Sequence, residues 1–130
     1  MSCGRPSKVR VIADDRPGPH RTDFDDLVWW LPVLGPTTSW LAYLLSRHAA
    51  SAGEAVWDAE YLAQLVGLSG KPSKLWAALD RLDHYGVAGF VATDTITIRL
   101  ALPPLRPRLL ERLPPALAAA YHYDADPPSD

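Results

Sequence analysis

The chain of 130 residues has the length of one compact domain, and its 48% hydrophobic and 22% charged content excludes an intrinsically disordered protein. The formal net charge of −2 excludes a generally basic surface, so any binding to nucleic acid has to use a local positive patch. No run of apolar residues approaches the roughly 18 that a membrane-spanning helix needs. The single cysteine, Cys3, cannot form an internal disulfide, and we therefore expect a cytoplasmic location.

The first part of the chain divides into a polar segment and an apolar one. Residues 1–26 are polar, carry both charges and are interrupted by proline and glycine, which predicts a flexible N-terminal arm. Residues 27–34 are apolar and contain the adjacent tryptophans Trp29 and Trp30. Two neighbouring indoles expose too much apolar surface to stay in water. We expect them to pack within the same subunit, with a homodimer contact as the alternative.

The first predicted helix begins near Trp40, after hydroxyl-bearing residues at 37–39 that can cap it. Its inward stripe has helical spacing and consists of Trp40, Leu41, Leu44, Leu45 and His48. Small residues at 49–53 end this helix, and residues 55–57 predict a short strand. Asp58 then caps a second helix, whose apolar face is Tyr61, Leu62, Leu65 and Val66.

A tight turn at residues 67–70 precedes the third predicted helix, at residues 72–85. Pro72 suits the first turn of this helix because its missing N–H has no intrahelical partner there. Three leucines at helical spacing form the buried stripe: Leu75, Leu79 and Leu82. Gly86 is placed as the glycine that ends the helix.

The rest of the chain is predicted to hold a hairpin and two short helical pieces. Residues 87–100 alternate in an extended pattern around a polar tip at 93–95, which predicts a β-hairpin. The helical pieces lie within residues 103–123, where prolines interrupt them and leucines dock them. Residues 124–130 are acidic and proline-containing, which predicts a disordered tail.

Residues 61–69 (YLAQLVGLS), residues 73–82 (SKLWAALDRL) and Gly86 resemble the second helix, turn and third helix of the winged helix-turn-helix superfamily of DNA-binding regulators. The resemblance implies a mainly α domain with a small β-hairpin, an α+β fold. Its three-helix core plus wing would occupy residues 37–100, within a domain at 27–123 that has extra N- and C-terminal helical pieces. The resemblance also implies that the third helix enters the major groove and the hairpin touches the DNA backbone or minor groove.

The leucine stripe predicts which residues of the third helix face DNA. With that stripe inward, the outward residues are Ser73, Lys74, Ala77, Asp80, Arg81 and His84. Free backbone N–H groups at the start of the helix add to the positive potential of its lysines, and Ala77 is small enough to approach base edges. The predicted DNA contacts are Ser69, Lys71, Ser73, Lys74, Ala77 and Arg81, with Thr93 and Thr95 at the hairpin tip.

We expect a DNA-binding module, either a small transcriptional regulator or an accessory protein of a replicon or mobile element. Asp80 and Asp83 offset the charge of Arg81, and Asp94 stands at the hairpin tip. The alternative is therefore a protein–protein interaction adaptor in which the third helix presents an ordinary solvated face. The expected partner is duplex DNA, and a homodimer through Trp29 and Trp30 or the C-terminal helices is the alternative to packing within one subunit. The other tryptophans, Trp40, Trp57 and Trp76, are expected in the core rather than stacked on bases.

No catalytic or metal site is predicted. The histidines, His20, His48, His84 and His122, lack metal-ligand spacing, and the sequence has no glycine-rich phosphate loop. The acidic pair Asp124 and Asp126 lies in the predicted tail, where catalytic geometry cannot be held. We therefore expect no enzymatic activity, no cofactor and no metal.

Overall fold

The computed structural model describes residues 6–18, 20–22, 26–69, 71–103, 105 and 107–125. The strands are β1 (Lys8–Asp14), β2 (His20–Arg21), β3 (Glu54–Asp58), β4 (Ala88–Ala92), β5 (Thr95–Arg99) and β6 (Ala101–Leu102). A 3-10 helix at Asp26–Trp29 precedes the α-helices, which are α1 (Leu31–Leu34), α2 (Pro36–Ala52), α3 (Ala59–Leu65), α4 (Pro72–His84), α5 (Pro107–Leu110) and α6 (Pro115–Ala125).

The four longer strands form one mixed sheet in the order β3, β1, β5, β4. Strand β1 runs antiparallel to β3, with Val9 opposite Trp57, and parallel to β5, with Val11 opposite Ile96. Strands β4 and β5 form an antiparallel hairpin, and the short strands β2 and β6 pair separately. Helix α2 contacts β1, β3 and β5, and helix α4 contacts β4. The core therefore lies between the sheet and these two helices.

The predicted winged helix-turn-helix fold class, a three-helix core plus a wing, is wrong. The structure is α+β with a four-stranded mixed sheet, and one inner strand of that sheet, β1, comes from the segment predicted to be a flexible arm. Val9 and Val11 are 0% and 1% exposed, whereas Lys8 and Arg10 are exposed. Charged residues at alternate positions give this strand the composition of a polar arm. Residues 1–5, 19 and 23–25 of the predicted arm lie outside the described residues.

Helix α2 begins at Pro36, one turn before the predicted start at Trp40. Its buried apolar residues are Leu41, Ala42, Leu45 and Ala49. Trp40 is 42% exposed and its ring stacks on Tyr43 at 5.4 Å, while His48 is exposed. The prediction that Trp40 and His48 face inward is therefore wrong. The small side chains at positions 42 and 49 pack inward in their place, which rotates the buried stripe around the helix.

Strand β3 and helix α3 follow in the predicted order, and the predicted cap is confirmed. The Asp58 carboxylate accepts a hydrogen bond from the Tyr61 N–H at 2.9 Å. The buried residues of α3 and its C-cap are Ala59, Leu62, Ala63 and Val66. Tyr61 and Leu65 are 55% and 43% exposed, so the predicted apolar face is wrong for these two. Trp57 is half-buried on β3 and contacts the His48 ring edge-on.

Helix α4 has the predicted start, stripe and end. Pro72 lies in the first turn, and the three predicted leucines are each 0% exposed: Leu75, Leu79 and Leu82. At the C-terminus, the Val87 N–H donates to the Leu82 carbonyl at 3.0 Å, and Gly86 has a φ of 79°. This is the six-to-one hydrogen bond of a Schellman motif, in which the left-handed residue is usually glycine. Trp76 is buried and stacks on Phe90 at 6.1 Å, as expected of a core residue.

The C-terminal third is helical and packs against the segment that contains the adjacent tryptophans. Leucines dock this part of the chain, as predicted, and the buried ones are Leu105, Leu109 and Leu113. Tyr121 on α6 is buried, its hydroxyl accepts a hydrogen bond from the Leu105 N–H at 2.9 Å, and its ring meets Trp29 edge-on at 5.8 Å. Trp30 is 1% exposed. Both tryptophans thus pack within one subunit. Helix α6 extends to Ala125, so the tail predicted at 124–130 is wrong for residues 124–125, and residues 126–130 lie outside the described residues.

Candidate nucleic-acid interface

The N-terminal half of α4 presents an exposed polar face, which we call the α4 face and define as Lys71, Ser73, Lys74 and Ala77. All four residues are exposed. Leu75 and Leu79 are completely buried on the other side of the same turns, so the rotation of the helix is fixed by the core. Helix α3 packs against α4 and holds it in place. The α4 face is therefore a rigid, accessible surface.

The start of α4 adds positive potential to that of the lysines. Lys71 occupies the N-cap position and its side chain makes no cap hydrogen bond, so no side-chain acceptor offsets the N–H groups of the first turn. A helix N-terminus carries a partial positive charge of about half a unit. The Lys71 and Lys74 ammonium groups form no ion pair within the part of the chain that the structure describes. This end of α4 is thus suited to anionic groups.

The turn between α3 and α4 positions the predicted contact Ser69. Helix α3 ends in a Schellman motif, in which the Leu68 N–H donates to the Ala63 carbonyl at 2.8 Å. The Lys71 N–H then donates to the Leu68 carbonyl at 3.1 Å, which closes the turn onto α4. Ser69 has a φ of 55° and is exposed immediately before the α4 face. The structure therefore brings Ser69 together with Lys71 and Ser73.

Arg81 does not belong to the α4 face, although the sequence predicts it as a DNA contact. Its Nε donates to the Leu34 carbonyl at 3.1 Å, and its Nη2 donates to the Val33 carbonyl at 2.5 Å. Its guanidinium also lies 5.5 Å from the centre of the Tyr85 ring. Arg81 therefore holds the end of α1 against α4. No local sequence pattern could reveal this role, because the two carbonyls lie 47 and 48 positions away.

The hairpin tip contributes hydroxyl groups and an acidic side chain. Thr93 is exposed, whereas Thr95 is half-buried and its hydroxyl donates to the Asp94 carboxylate at 2.9 Å. The Asp94 carbonyl accepts a hydrogen bond from the Arg10 N–H at 2.7 Å, which joins the tip to β1. The one basic residue of the β4–β5 hairpin, residues 88–99, is Arg99 at the end of β5 away from the tip, and its guanidinium donates to the carbonyls of Pro17 and Ala101. The predicted contacts Thr93 and Thr95 therefore lie in a segment that offers no positive charge to DNA.

Several arginines elsewhere on the sheet are engaged within the protein. Arg10 makes two 3.0 Å hydrogen bonds with Glu54, which raise the pKa of its guanidinium. Arg16 pairs with Asp14 at 2.7 Å, and its hydrogen bonds hold the pKa of that carboxyl below the ordinary 3.8. Arg99 donates to the carbonyls of Pro17 and Ala101, and burial lowers its pKa. Among the residues that the structure describes, the lysines of the α4 face form no such pair.

Other kinds of site are not found in the described ranges. No group of three or more histidine, cysteine, aspartate or glutamate side chains among these residues could hold a metal ion. Within the same ranges, no helix combines the length and apolar character needed to cross a bilayer. The side chains of His20 and His122 lie outside the described part of the structure.

Comparison with protein-family models, with curated proteins and with solved structures finds no match to this chain. The functional assignment therefore rests on the residues of the α4 face and on their surroundings.

Proposed function

We propose that the protein binds duplex DNA and that the α4 face enters the major groove. The observation that supports this most directly is the contrast across α4. Leu75 and Leu79 are 0% exposed, while Ser73, Lys74 and Ala77 on the opposite side are uncovered. The segment that contains Trp29 and Trp30 is anchored at Arg81, further along the helix, and the N-terminal half of α4 stays open.

Each member of the α4 face has a role that its chemistry allows. The Lys71 and Lys74 ammonium groups pair with phosphates, and the Ser69 and Ser73 hydroxyls add hydrogen bonds to phosphate oxygens or base edges. Ala77 has no side-chain bulk beyond its Cβ, so the helix can approach the bases, and its methyl group can contact a thymine methyl. We place the protein among small transcriptional regulators or accessory proteins of a replicon or mobile element.

The experiment that tests this function measures binding to a fluorescent, mixed-sequence duplex of about 20 base pairs as salt is raised from about 50 to about 200 mM. Each neutralised phosphate contributes about −0.9 to the slope of log affinity against log salt, so two lysine contacts give a slope of about −2. Failure to bind the duplex at the lowest salt would rule out this function. Selection from random-sequence duplexes then determines the preferred site.

A second candidate function, protein–protein interaction without DNA binding, is favoured by one observation. Tyr61 and Leu65 lie four residues apart on α3 and are 55% and 43% exposed. Residues at this spacing share a helix face and can anchor an apolar partner surface. Salt separates the two functions, because phosphate contacts weaken steeply as salt rises while an apolar contact does not. This second function would be favoured if the wild type retained a protein partner at high salt and the double variant Tyr61→Ala with Leu65→Ala did not.

A further inference from the structure

The C-terminal end of α4 borders a cleft that the proposed function does not use. The cleft has a volume of about 740 Å³ and lies between the end of α4, the wall formed by Trp30, and the segment around α5. The residues that matter for its chemistry are Trp30, His84, Tyr85, Arg108, Leu109 and Arg112. This volume falls within the range of about 300 to 1,000 Å³ that small-molecule sites occupy.

Two arginines give the cleft a positively charged lining. Arg108 and Arg112 line it, and the Arg112 Nη1 donates to the Tyr85 hydroxyl at 3.2 Å. A third arginine, Arg81, lies over the ring of Tyr85, which is itself part of the lining. Among the described residues, the lining contains no carboxylate, and neither Arg108 nor Arg112 forms an ion pair. The two lining guanidinium groups are therefore available to an anion.

Most of the remaining lining is apolar. It includes Trp30, Leu109, Pro103 and Pro107 beside the Tyr85 ring. Trp30 and Leu109 are only 1% and 9% exposed, so the two prolines and the Tyr85 ring offer most of the accessible apolar surface. A bare inorganic ion would leave this apolar surface unused. A ligand that combines an apolar body with an anionic group would contact both this surface and the arginines.

We propose that this cleft binds a small organic anion. Its carboxylate or phosphate group pairs with Arg108 and Arg112, since the planar guanidinium donates two parallel hydrogen bonds to such oxygens. Its aromatic or aliphatic body packs on Pro103, Pro107 and the Tyr85 ring, the more accessible apolar residues of the lining. The proposal is independent of DNA binding, because it uses the other end of α4 and is tested without DNA.

Calorimetric titration of the full chain with 2-naphthoate and with 2-naphthyl phosphate tests this site. We expect at least one of the two to bind about tenfold more tightly than uncharged 2-naphthol or inorganic phosphate, since each of these lacks half of the ligand. The tighter of the two organic anions identifies the anionic group. Absence of binding by both, or equal binding of 2-naphthol, would overturn the proposal.

Two variants locate the binding. Arg108→Ala should weaken the affinity for the better ligand about tenfold, because it removes a charge-assisted pair. Arg108 makes no hydrogen bond to another described residue, so the variant should keep the thermal unfolding midpoint of the wild type. Arg47→Ala is the matched control, because Arg47 also lies beside a tyrosine, donating to the Tyr43 hydroxyl on α2 at 2.8 Å, but away from the cleft. Unchanged affinity in Arg108→Ala, or an equal loss in both variants, would show that the cleft is not the site.

Discussion

Arg81 joins two helices that are far apart in the chain. The last carbonyls of a helix have no intrahelical partner, and in α1 two of them, from Val33 and Leu34, accept hydrogen bonds from the Arg81 guanidinium. The same guanidinium lies over the Tyr85 ring. The arginine therefore stabilises the fold by joining α1 to α4, although its side chain lies at the surface.

Replacement of Arg81 by alanine tests this structural role. We predict that Arg81→Ala lowers the free energy of unfolding by about 2 kcal/mol, because two carbonyl groups lose a charged hydrogen-bond donor. Arg47→Ala should change it by less than about 0.5 kcal/mol, since Arg47 is exposed and its one hydrogen bond among the described residues is to the Tyr43 hydroxyl on its own helix. Urea unfolding measures both values. Equal changes in the two variants would contradict the role assigned to Arg81.

The pair formed by Asp14 and Arg16 makes stability depend on pH. Hydrogen bonds from Arg16 hold the pKa of Asp14 in the folded protein below its ordinary value of 3.8. A carboxyl group whose pKa is lower in the folded state contributes stability above its unfolded pKa, and this contribution is lost as pH falls through the folded pKa. We predict that the difference in unfolding free energy between wild type and Asp14→Asn is constant from about pH 5 to about pH 7 and shrinks below about pH 4.

Urea unfolding across this pH range measures the difference, and Arg16→Ala provides the control. If the pair is responsible, combining Arg16→Ala with Asp14→Asn should add little to either single change. If the difference in unfolding free energy between wild type and Asp14→Asn grew as the pH fell, this prediction would be contradicted.

At the scale of the elements, strand β1 is the feature that could not be predicted from the sequence. Its residues alternate between buried valines and exposed basic side chains, and both of its neighbours in the sheet are distant in sequence. Local patterns cannot show that β1 lies between β3 and β5, because pairing depends on tertiary contacts. Helix α4 is the opposite case: Pro72, the leucine spacing and Gly86 are local signals, and they predict both its ends and its buried stripe.

The same distinction applies to the candidate site. Lys74 and Ala77 could be predicted as exposed because the leucine stripe fixes the rotation of α4. The engagement of Arg81 could not, because it depends on the distant end of α1. The prediction that Trp40 is buried is wrong because hydrophobicity alone does not distinguish a core indole from a 42% exposed one that stacks on a neighbouring tyrosine.

A matched pair of valines tests the central position of β1. Val11 on β1 is 1% exposed, and Val56 on the adjacent strand β3 is 64% exposed. We predict that Val11→Ala lowers the free energy of unfolding by about 2 kcal/mol, and that Val56→Ala lowers it by less than about 0.5 kcal/mol. Chemical denaturation measures both. If residues 8–14 were instead a flexible arm, neither substitution would lower the free energy of unfolding appreciably.

At the scale of the whole molecule, the arrangement of charge matters more than the net value of −2. Arginines on the sheet are paired with carboxylates or donate to carbonyl groups, as Arg10, Arg16 and Arg99 do. The lysines of the α4 face form no ion pair within the described ranges and stand beside a helix N-terminus. A nearly neutral protein can thus present a local positive patch, although its long-range attraction to DNA is weak.

The most direct test of DNA binding by the α4 face compares the wild type with the double variant Lys71→Glu with Lys74→Glu. The quantity measured is the affinity for a mixed-sequence duplex at low salt. We predict loss of binding in this variant with an unchanged unfolding midpoint, because both side chains are exposed. The control is the double variant Arg47→Glu with Lys8→Glu, which changes the net charge by the same amount at two other exposed positions. It should keep most of the affinity for DNA. Wild-type affinity in the Lys71 and Lys74 variant, or an equal loss in the control, would contradict DNA binding through this face of α4.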